Sequence, residues 1–305
     1  MLLHKTVLLN ESIKALNILK NGIYIDGTFG HGGHSKKILD KLDKGFLYAF
    51  DKDPYACKYA KKINHTQFKI INDNFSKIKK YLEMKKIKGK VNGILLDLGI
   101  SSIQLYDSKR GFSFLKNGPL DMRINQREKI SISKWIQKNN EKKIQKILKK
   151  YGNEKFSKSI AKAIFFEKKN IQTTHDLAKI IKKNTPNTLQ YQKSLKKTFL
   201  AFRIYINKET QALKKILKQV EFILKPKGRL VIITFNPIEN KIIKNFIKKN
   251  NKKHNIPPEI PITDKEIKKI HNIKFKIFKK IKPSIHEKYY NTKSRNAVLR
   301  IIEKL

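Results

Sequence analysis

The sequence predicts an α/β protein built on a doubly wound parallel sheet, with a helical domain inserted into it. Three observations carry that expectation. Short apolar runs alternate with amphipathic stretches over the first hundred residues. The rhythm then stops for roughly 130 residues before the next clear buried strand, far more than one crossover needs. The first apolar run also ends in a glycine-dense turn, where sheets of this kind let a ligand approach the backbone.

Residues 22–26 read as the first strand and 35–42 as the helix after it, with Ile38, Leu39 and Leu42 at helical spacing. Phe46–Phe50 is the second strand and 54–63 the second helix; Phe68–Ile71 and Ile78–Met84 repeat the unit. Residues 91–98 form a fourth strand. This alternation implies right-handed βαβ units. The interval that follows is helical in pattern over Ile132–Gln137, 141–151, 155–167, Thr174–Lys183 and 208–224. Trp135, Ile136, Ile144, Ile147 and Leu148 mark its core face. Lys225-Pro226-Lys227-Gly228 reads as a helix stop, 229–235 as a fifth strand and 297–302 as the last. The lysine-rich stretch 241–282 reads as helix plus surface loop. The expected division is 1–106 and 207–305 for the sheet domain, with 107–206 as the inserted helical domain.

Composition narrows the function classes. The chain has 305 residues, and 39% of them are hydrophobic, enough for a core without disulfides. Lys and Arg number 70 against 24 Asp and Glu, a net charge of +46 that suits a polyanionic partner. The basic residues are 63 Lys and 7 Arg. An AT-rich genome produces the same Lys, Ile and Asn excess, so the charge alone does not specify the partner. Cys57 stands alone, which excludes a disulfide framework and a thiolate metal site, and the histidines are scattered. No signal-peptide core or spanning segment is visible, so a soluble cytoplasmic protein without a metal or membrane partner is expected.

The residues with chemistry sit at strand ends. Asp26-Gly27-Thr28-Phe29-Gly30-His31-Gly32-Gly33-His34 carries four glycines in seven positions, followed by a helix whose free N–H groups can meet ligand oxygens. A dinucleotide or an adenosyl cofactor fits such a turn. The dinucleotide fingerprint starting from Gly30 needs glycine at position 35, which is Ser35; this disfavours a nicotinamide dehydrogenase. Asp51 ends the second strand, where a carboxylate accepts ribose hydroxyls; Asp53 reads as a solvated turn residue. Phe75 follows the third strand and can pack on an adenine face or in the core. Asp97 ends the fourth strand. A carboxylate there can accept the N–H of a conjugated exocyclic amine and turn its lone pair toward an electrophile, or can hold the cofactor.

In this order the residues closely resemble the 16S ribosomal RNA (cytosine-4-amino) methyltransferases, the MraW-type family. The resemblance runs through HKTVLLNE (4–11), YIDGTFGHGGHS (24–35), DKDP (51–54), ILLDLGISSIQL (94–105), RGFSF (110–114) and GPLDMR (118–123). It continues through YGNEKFSKSIAKAI (151–164), KTFLAFRIYIN (197–207), KGRLVIITF (227–235) and NTKSRNAVLR (291–300). It implies a class I, Rossmann-like, S-adenosylmethionine-dependent enzyme that methylates a decoding-centre cytidine in 16S ribosomal RNA or the small ribosomal subunit. Cofactor residues carried over by motif are Gly32, Gly33, His34, Asp51, Phe75, Asp97 and Gln104, with Asp97 also the catalytic candidate. Arg110, Phe112, Arg123, Arg203 and Arg295 are the RNA-binding candidates, joined by Phe114 and Lys197. The oligomeric state is left open, a dimer included. The family typically reads Ser-Phe-His-Ser-Leu-Glu-Asp where this chain has Thr234-Phe235-Asn236-Pro237-Ile238-Glu239-Asn240. That departure is the one feature favouring an RNA-binding or assembly protein of the same fold without catalysis.

Overall fold

The computed structural model describes residues 5–250, 263 and 273–305. The chain divides into two compact units, Met1–Gly99 with Gln211–Leu305, and Ile100–Thr210. The first is a seven-stranded sheet in the order β3-β2-β1-β4-β5-β7-β6. Its strands are β1 (Ile23–Asp26), β2 (Phe46–Phe50), β3 (Phe68–Ile71), β4 (Val91–Asp97), β5 (Leu224–Thr234), β6 (Phe275–Ile277) and β7 (Val298–Lys304). β1 to β5 are parallel, while β7 runs antiparallel to both β5 and β6. The winding reverses between β1 and β4, so their C-terminal ends open a crevice at the switch point.

Period-two alternation distributes the strand side chains to two cores. Ile94, Leu96, Leu230 and Ile232 face one core with α4 (Ile78–Met84), α11 (Glu209–Leu217), α12 (Val220–Ile223) and α13 (Pro237–Asn250). Leu95, Val231, Ile233 and Leu299 face the other, with α1 (Leu9–Leu16) and α2 (Gly33–Leu39). Strands buried on both faces read as continuous apolar runs, as β4 and β5 do. α3 (Pro54–Ala60) starts on Pro54, with Asp53 as its N-cap accepting from the Tyr55 amide at 3.0 Å. Asp53 is 3% exposed, so it is a buried cap and not the solvated residue expected.

Some boundaries differ from the sequence reading. The helix expected over 208–224 is two pieces, α11 and α12. Residues 225–228 lie within β5: Leu224 pairs with Val91 and Arg229 with Gly93, leaving a bulge in which Lys227 takes φ 62°. The lysine-rich stretch contains α13 and the short strand β6. The rest of it, 251–262 and 264–272, lies outside the described residues.

The second unit is helical: α5 (Ser102–Tyr106), α6 (Ile132–Gln137), α7 (Glu141–Gly152), α8 (Ser157–Glu167), α9 (Thr174–Lys183) and α10 (Thr188–Ile206). Ser131, Asn140, Thr173 and Asn187 cap α6, α7, α9 and α10 through side-chain oxygens, and Thr173 and Asp176 form a reciprocal capping box. Its core holds Trp135, Ile136, Ile144, Leu148, Ile160, Leu177, Phe199 and Phe202. Among the described residues no helix is long and apolar enough to cross a membrane.

Candidate active site

The site grows from the turn after β1. Gly32 takes φ 73° and a Cβ there would lie 2.7 Å from the Phe29 ring; a Cβ at Gly33 would lie 1.9 Å from Thr6 Oγ1. Both positions therefore exclude side chains, and α2 begins at Gly33 without a side-chain cap. Asp26, 1% exposed, fixes this turn from beneath: its Oδ1 accepts the Thr28 amide at 3.0 Å and its Oδ2 the Ser35 hydroxyl at 2.6 Å. Ser35, where a dinucleotide fingerprint needs glycine, is thus a structural donor to Asp26.

Asp51, at the end of β2, accepts the Gly30 amide on Oδ2 and the Asp53 amide on Oδ1, each at 2.8 Å. The carboxylate is held in one orientation, and each oxygen keeps a further lone pair for a hydroxyl. Phe75 is half-buried beside the turn, its Cβ 3.2 Å from where a Gly27 Cβ would lie. Asp97 ends β4, and its amide donates to Thr28 Oγ1 at 2.7 Å. His34 Nδ1 lies 3.9 Å from Asp97 Oδ2. Asp97 Oδ1 is buried and has no hydrogen-bond partner among the described residues.

Three carboxyls so close together under burial resist ionisation. Burial pushes Asp26 up to about 6, against the opposing hydrogen bonds from Ser35 and Thr28. Burial likewise pushes Asp51 up to about 6; the Asp53 and Gly30 amides oppose this, and the charges of Asp53 and Asp26 add to it. Asp97 goes furthest, to about 8, through burial and then the charges of Asp26 and Glu239. A cation brought close to these strand ends would favour their ionised forms, and Asp97 is the one that holds its proton to the highest pH. Burial pushes the Cys57 thiol up to about 12, so it takes no part.

The structure brings Gly32, Gly33, His34, Asp51, Phe75 and Asp97 to one end of the sheet unit. Gln104 lies in the helical unit, where its Oε1 accepts the Ser101 amide at 3.0 Å and its own amide donates to Ser101 Oγ, a capping box for α5.

Four of the RNA candidates require correction. Arg110 is 4% exposed, and its Nη2 donates to the Arg123 and Ile124 carbonyls at 3.2 and 2.7 Å. Phe112 is 6% exposed within the helical core. Arg123 forks onto Asp121, with 2.6 Å to each oxygen, and Arg203 onto Glu209 at 3.0 and 2.9 Å. These guanidiniums each satisfy acceptors within the protein, which gives them a structural role that the sequence reading did not assign. Phe114 packs edge-on against Phe199, and Lys197 donates to the Asn153 carbonyl. Arg295 is exposed.

Sequence reasoning marked Asn236 only as part of a departure from the family pattern and gave neither it nor Glu239 a role. Asn236 Oδ1 accepts the Ile238 and Glu239 amides at 3.1 and 3.0 Å, while Glu239 Oε2 accepts the Phe235 and Asn236 amides at 2.9 and 3.4 Å. Asn followed three residues later by Glu, with Pro at the first helical position, is the signal that marks this capping box.

A parallel sheet with its glycine turn and acidic strand ends at the switch point defines a class I methyltransferase of Rossmann-like fold. The chain belongs to the MraW methylase family, which it matches over residues 1–305, and its methyl donor is S-adenosylmethionine. It is 52% identical to the ribosomal RNA small subunit methyltransferase H of Buchnera aphidicola subsp. Cinara cedri (strain Cc), over 99% of each chain. It is 47% identical to the protein of that name from Wigglesworthia glossinidia brevipalpis, again over 99% of each. A solved rRNA methylase from Streptococcus thermophilus aligns over 99% of this chain and 98% of its own, at 12% identity and a TM-score of 0.41.

Proposed function

We propose that the protein methylates the exocyclic 4-amino group of a decoding-centre cytidine in 16S ribosomal RNA, acting on the RNA or the small subunit. The observation that carries the chemistry is Asp97: a half-buried strand-end carboxyl whose Oδ1 is buried and unclaimed among the described residues, and whose pKa is raised to about 8. The names of the relatives support the substrate class.

The residues fit the cofactor. Gly32 and Gly33 leave room that any side chain would fill, and the first turn of α2 offers N–H groups to a carboxylate. Asp51, its carboxylate held by two amides, would accept the ribose hydroxyls, and half-buried Phe75 would pack on the adenine face. His34 flanks Asp97, and Gln104 is joined to the set by the family motif alone. Bound S-adenosylmethionine supplies an electrophilic methyl group, the carbon–sulfur bonding pair remaining on sulfur as the methyl leaves.

The amine of a cytosine is a weak nucleophile because its lone pair is delocalised into the ring. Asp97, ionised beside the positive charge of the methyl donor, accepts one amine N–H on Oδ1 and so turns the lone pair away from itself. As the nitrogen gains carbon it becomes acidic, and the proton passes to Asp97 Oδ1, whose raised affinity suits an acceptor working near neutral pH. The inserted helical unit, with expected bounds 107–206, serves substrate binding. Arg295 and the exposed lysines supply phosphate attraction.

The test is methyl transfer from labelled S-adenosylmethionine to small subunits from a strain lacking the enzyme, followed by nucleoside digestion and mass spectrometry. Label on the cytidine 4-amino group is expected. Cofactor binding without any label on the RNA would leave a binding protein of the same fold.

A further inference from the structure

Asn236 stands two residues beyond the end of β5, beside the end of β4 that carries Asp97. The two strands stay paired to that point: Asp97 aligns with Ile233, and the Leu98 amide donates to the Ile233 carbonyl at 3.0 Å. Phe235 lies against Gly99, with a ring carbon 3.5 Å from where a Gly99 Cβ would be. The charge of Glu239, whose carboxylate holds the Asn236 amide, is felt at Asp97.

The orientation of the Asn236 side chain is fixed by what its oxygen does. Oδ1 accepts two backbone amides at the start of α13, so the atom opposite is the NH2. Asn236 is 6% exposed, and that Nδ2 is buried with no hydrogen-bond partner among the described residues. A buried amide donor left unmade costs free energy unless a ligand takes it up. At the neighbouring strand end, Asp97 Oδ1 is a buried acceptor in the same position. An unmade acceptor and an unmade donor thus stand at adjacent strand ends on the methyl-transfer side of the sheet.

We infer that Asn236 Nδ2 donates to the ring acceptor next to the reacting amine, making Asp97 and Asn236 an acceptor–donor pair that reads the base. An amino base presents N–H beside a ring nitrogen acceptor, and a keto base presents the reverse, a carbonyl beside a ring N–H. The pair therefore admits amino bases and rejects keto bases, because a keto base would set like groups against like and leave both unpaired. This rests on the proposed amine methylation and adds the residue that selects the base. It also gives the segment 234–240 a role: its departure from the family pattern retains a built cap and a directed N–H.

The decisive variant is Asn236→Ser, because serine caps a helix as well as asparagine does yet lacks the amide donor. It is tested on the full chain with small subunits reconstituted on 16S RNA that carries either cytidine or 3-deazacytidine at the target, the latter lacking the ring acceptor. Thermal stability should not fall below that of the wild type, since the cap is kept and the unmade donor is gone, and S-adenosylmethionine affinity should match it. On cytidine, kcat/KM should fall roughly ten- to a hundredfold, the cost of one unmade buried hydrogen bond. On 3-deazacytidine, wild type and variant should be equally slow. The inference fails if the variant equals the wild type on cytidine, or if its deficit persists in full on 3-deazacytidine. Failure of the wild type to methylate any cytidine amine would instead overturn the proposed reaction, and this inference with it.

Discussion

Asp51 Oδ2 accepts the Gly30 amide at 2.8 Å, across 21 positions of sequence, and thereby ties the end of β2 to the glycine turn after β1. The same carboxylate accepts the Asp53 amide, so it orients the turn and presents its remaining lone pairs to a ligand. Asp51→Ala should therefore weaken S-adenosylmethionine by more than a lost ribose contact. Hydrogen bonds to a charged group are worth about 1.5–3 kcal/mol, or roughly ten- to 150-fold in affinity. Isothermal calorimetry measures it; unchanged affinity would remove Asp51 from the cofactor site.

The raised carboxyls make a prediction about pH. Asp97 binds its proton up to about 8 in the folded chain, against an ordinary value near 3.9 when unfolded. A carboxyl raised on folding costs nothing below its unfolded value. Its cost to stability then grows as pH rises toward the folded value. Asp97→Asn mimics the protonated form, so the unliganded variant should gain thermal stability relative to wild type as pH rises from about 4 to about 8. A cationic ligand has the opposite preference, because ionised carboxylates attract it. Wild-type affinity for S-adenosylmethionine should thus rise with pH between 6 and 8, following Asp26, Asp51 and Asp97. S-adenosylhomocysteine, with neutral sulfur, should show a weaker rise. Unfolding and calorimetry over this range check both, and parallel profiles for the two ligands would contradict the electrostatic account.

Gly33 offers a steric test. Its Cβ would meet Thr6 Oγ1 at 1.9 Å, so Gly33→Ala must displace the segment around Thr6 or the turn itself. Loss of both stability and cofactor affinity is expected. Thr6→Ala removes the colliding oxygen, so the double variant should regain part of each. A cycle of the four proteins in thermal unfolding and cofactor titration reads the coupling; strict additivity would place the strain elsewhere.

The sheet was legible because buried parallel strands print as apolar runs. Phe46–Phe50, Phe68–Ile71 and Ile78–Met84 appear in the structure with the expected bounds. The ends of elements followed less well, since they depend on tertiary pairing. Residues 225–228 look like a helix stop, yet Val91 and Gly93 draw their flanks into β5 as a bulge. The 19-residue α10 escaped notice in part because its C-terminal half is rich in aromatic and branched residues, Phe199, Phe202, Tyr205, Ile204 and Ile206, which are weaker helix formers than Ala or Leu. Its buried face also includes Ser194 and Thr198, which blurs the helical period. Asp51 and Asp97 stand at the strand ends where the apolar runs placed them. Scarcity of arginine did not separate an exposed guanidinium such as Arg295 from Arg110, which ties carbonyls together in a core. Asn236 was legible only as a departure from the family, since its amide acquires direction from the backbone it caps.

Arg110 carries the last prediction, which separates a core guanidinium from an RNA contact. Its Nη2 holds the carbonyls of Arg123 and Ile124, and Asn207 holds the same loop from the other end. There Oδ1 accepts the Ile124 amide at 2.8 Å and Nδ2 donates to the Met122 carbonyl at 2.7 Å. Two side chains therefore replace the secondary structure that residues 122–124 lack. Arg110→Ala leaves buried carbonyls without their donor, and should cost about 1.5–3 kcal/mol of stability in the helical unit. At a temperature where the variant is fully folded, its affinity for ribosomal RNA should equal that of the wild type, whereas Arg295→Ala should lower affinity and leave the melting temperature unchanged. Thermal unfolding paired with RNA binding on both variants decides. A folded Arg110→Ala protein with weakened RNA binding would return this residue to the interface.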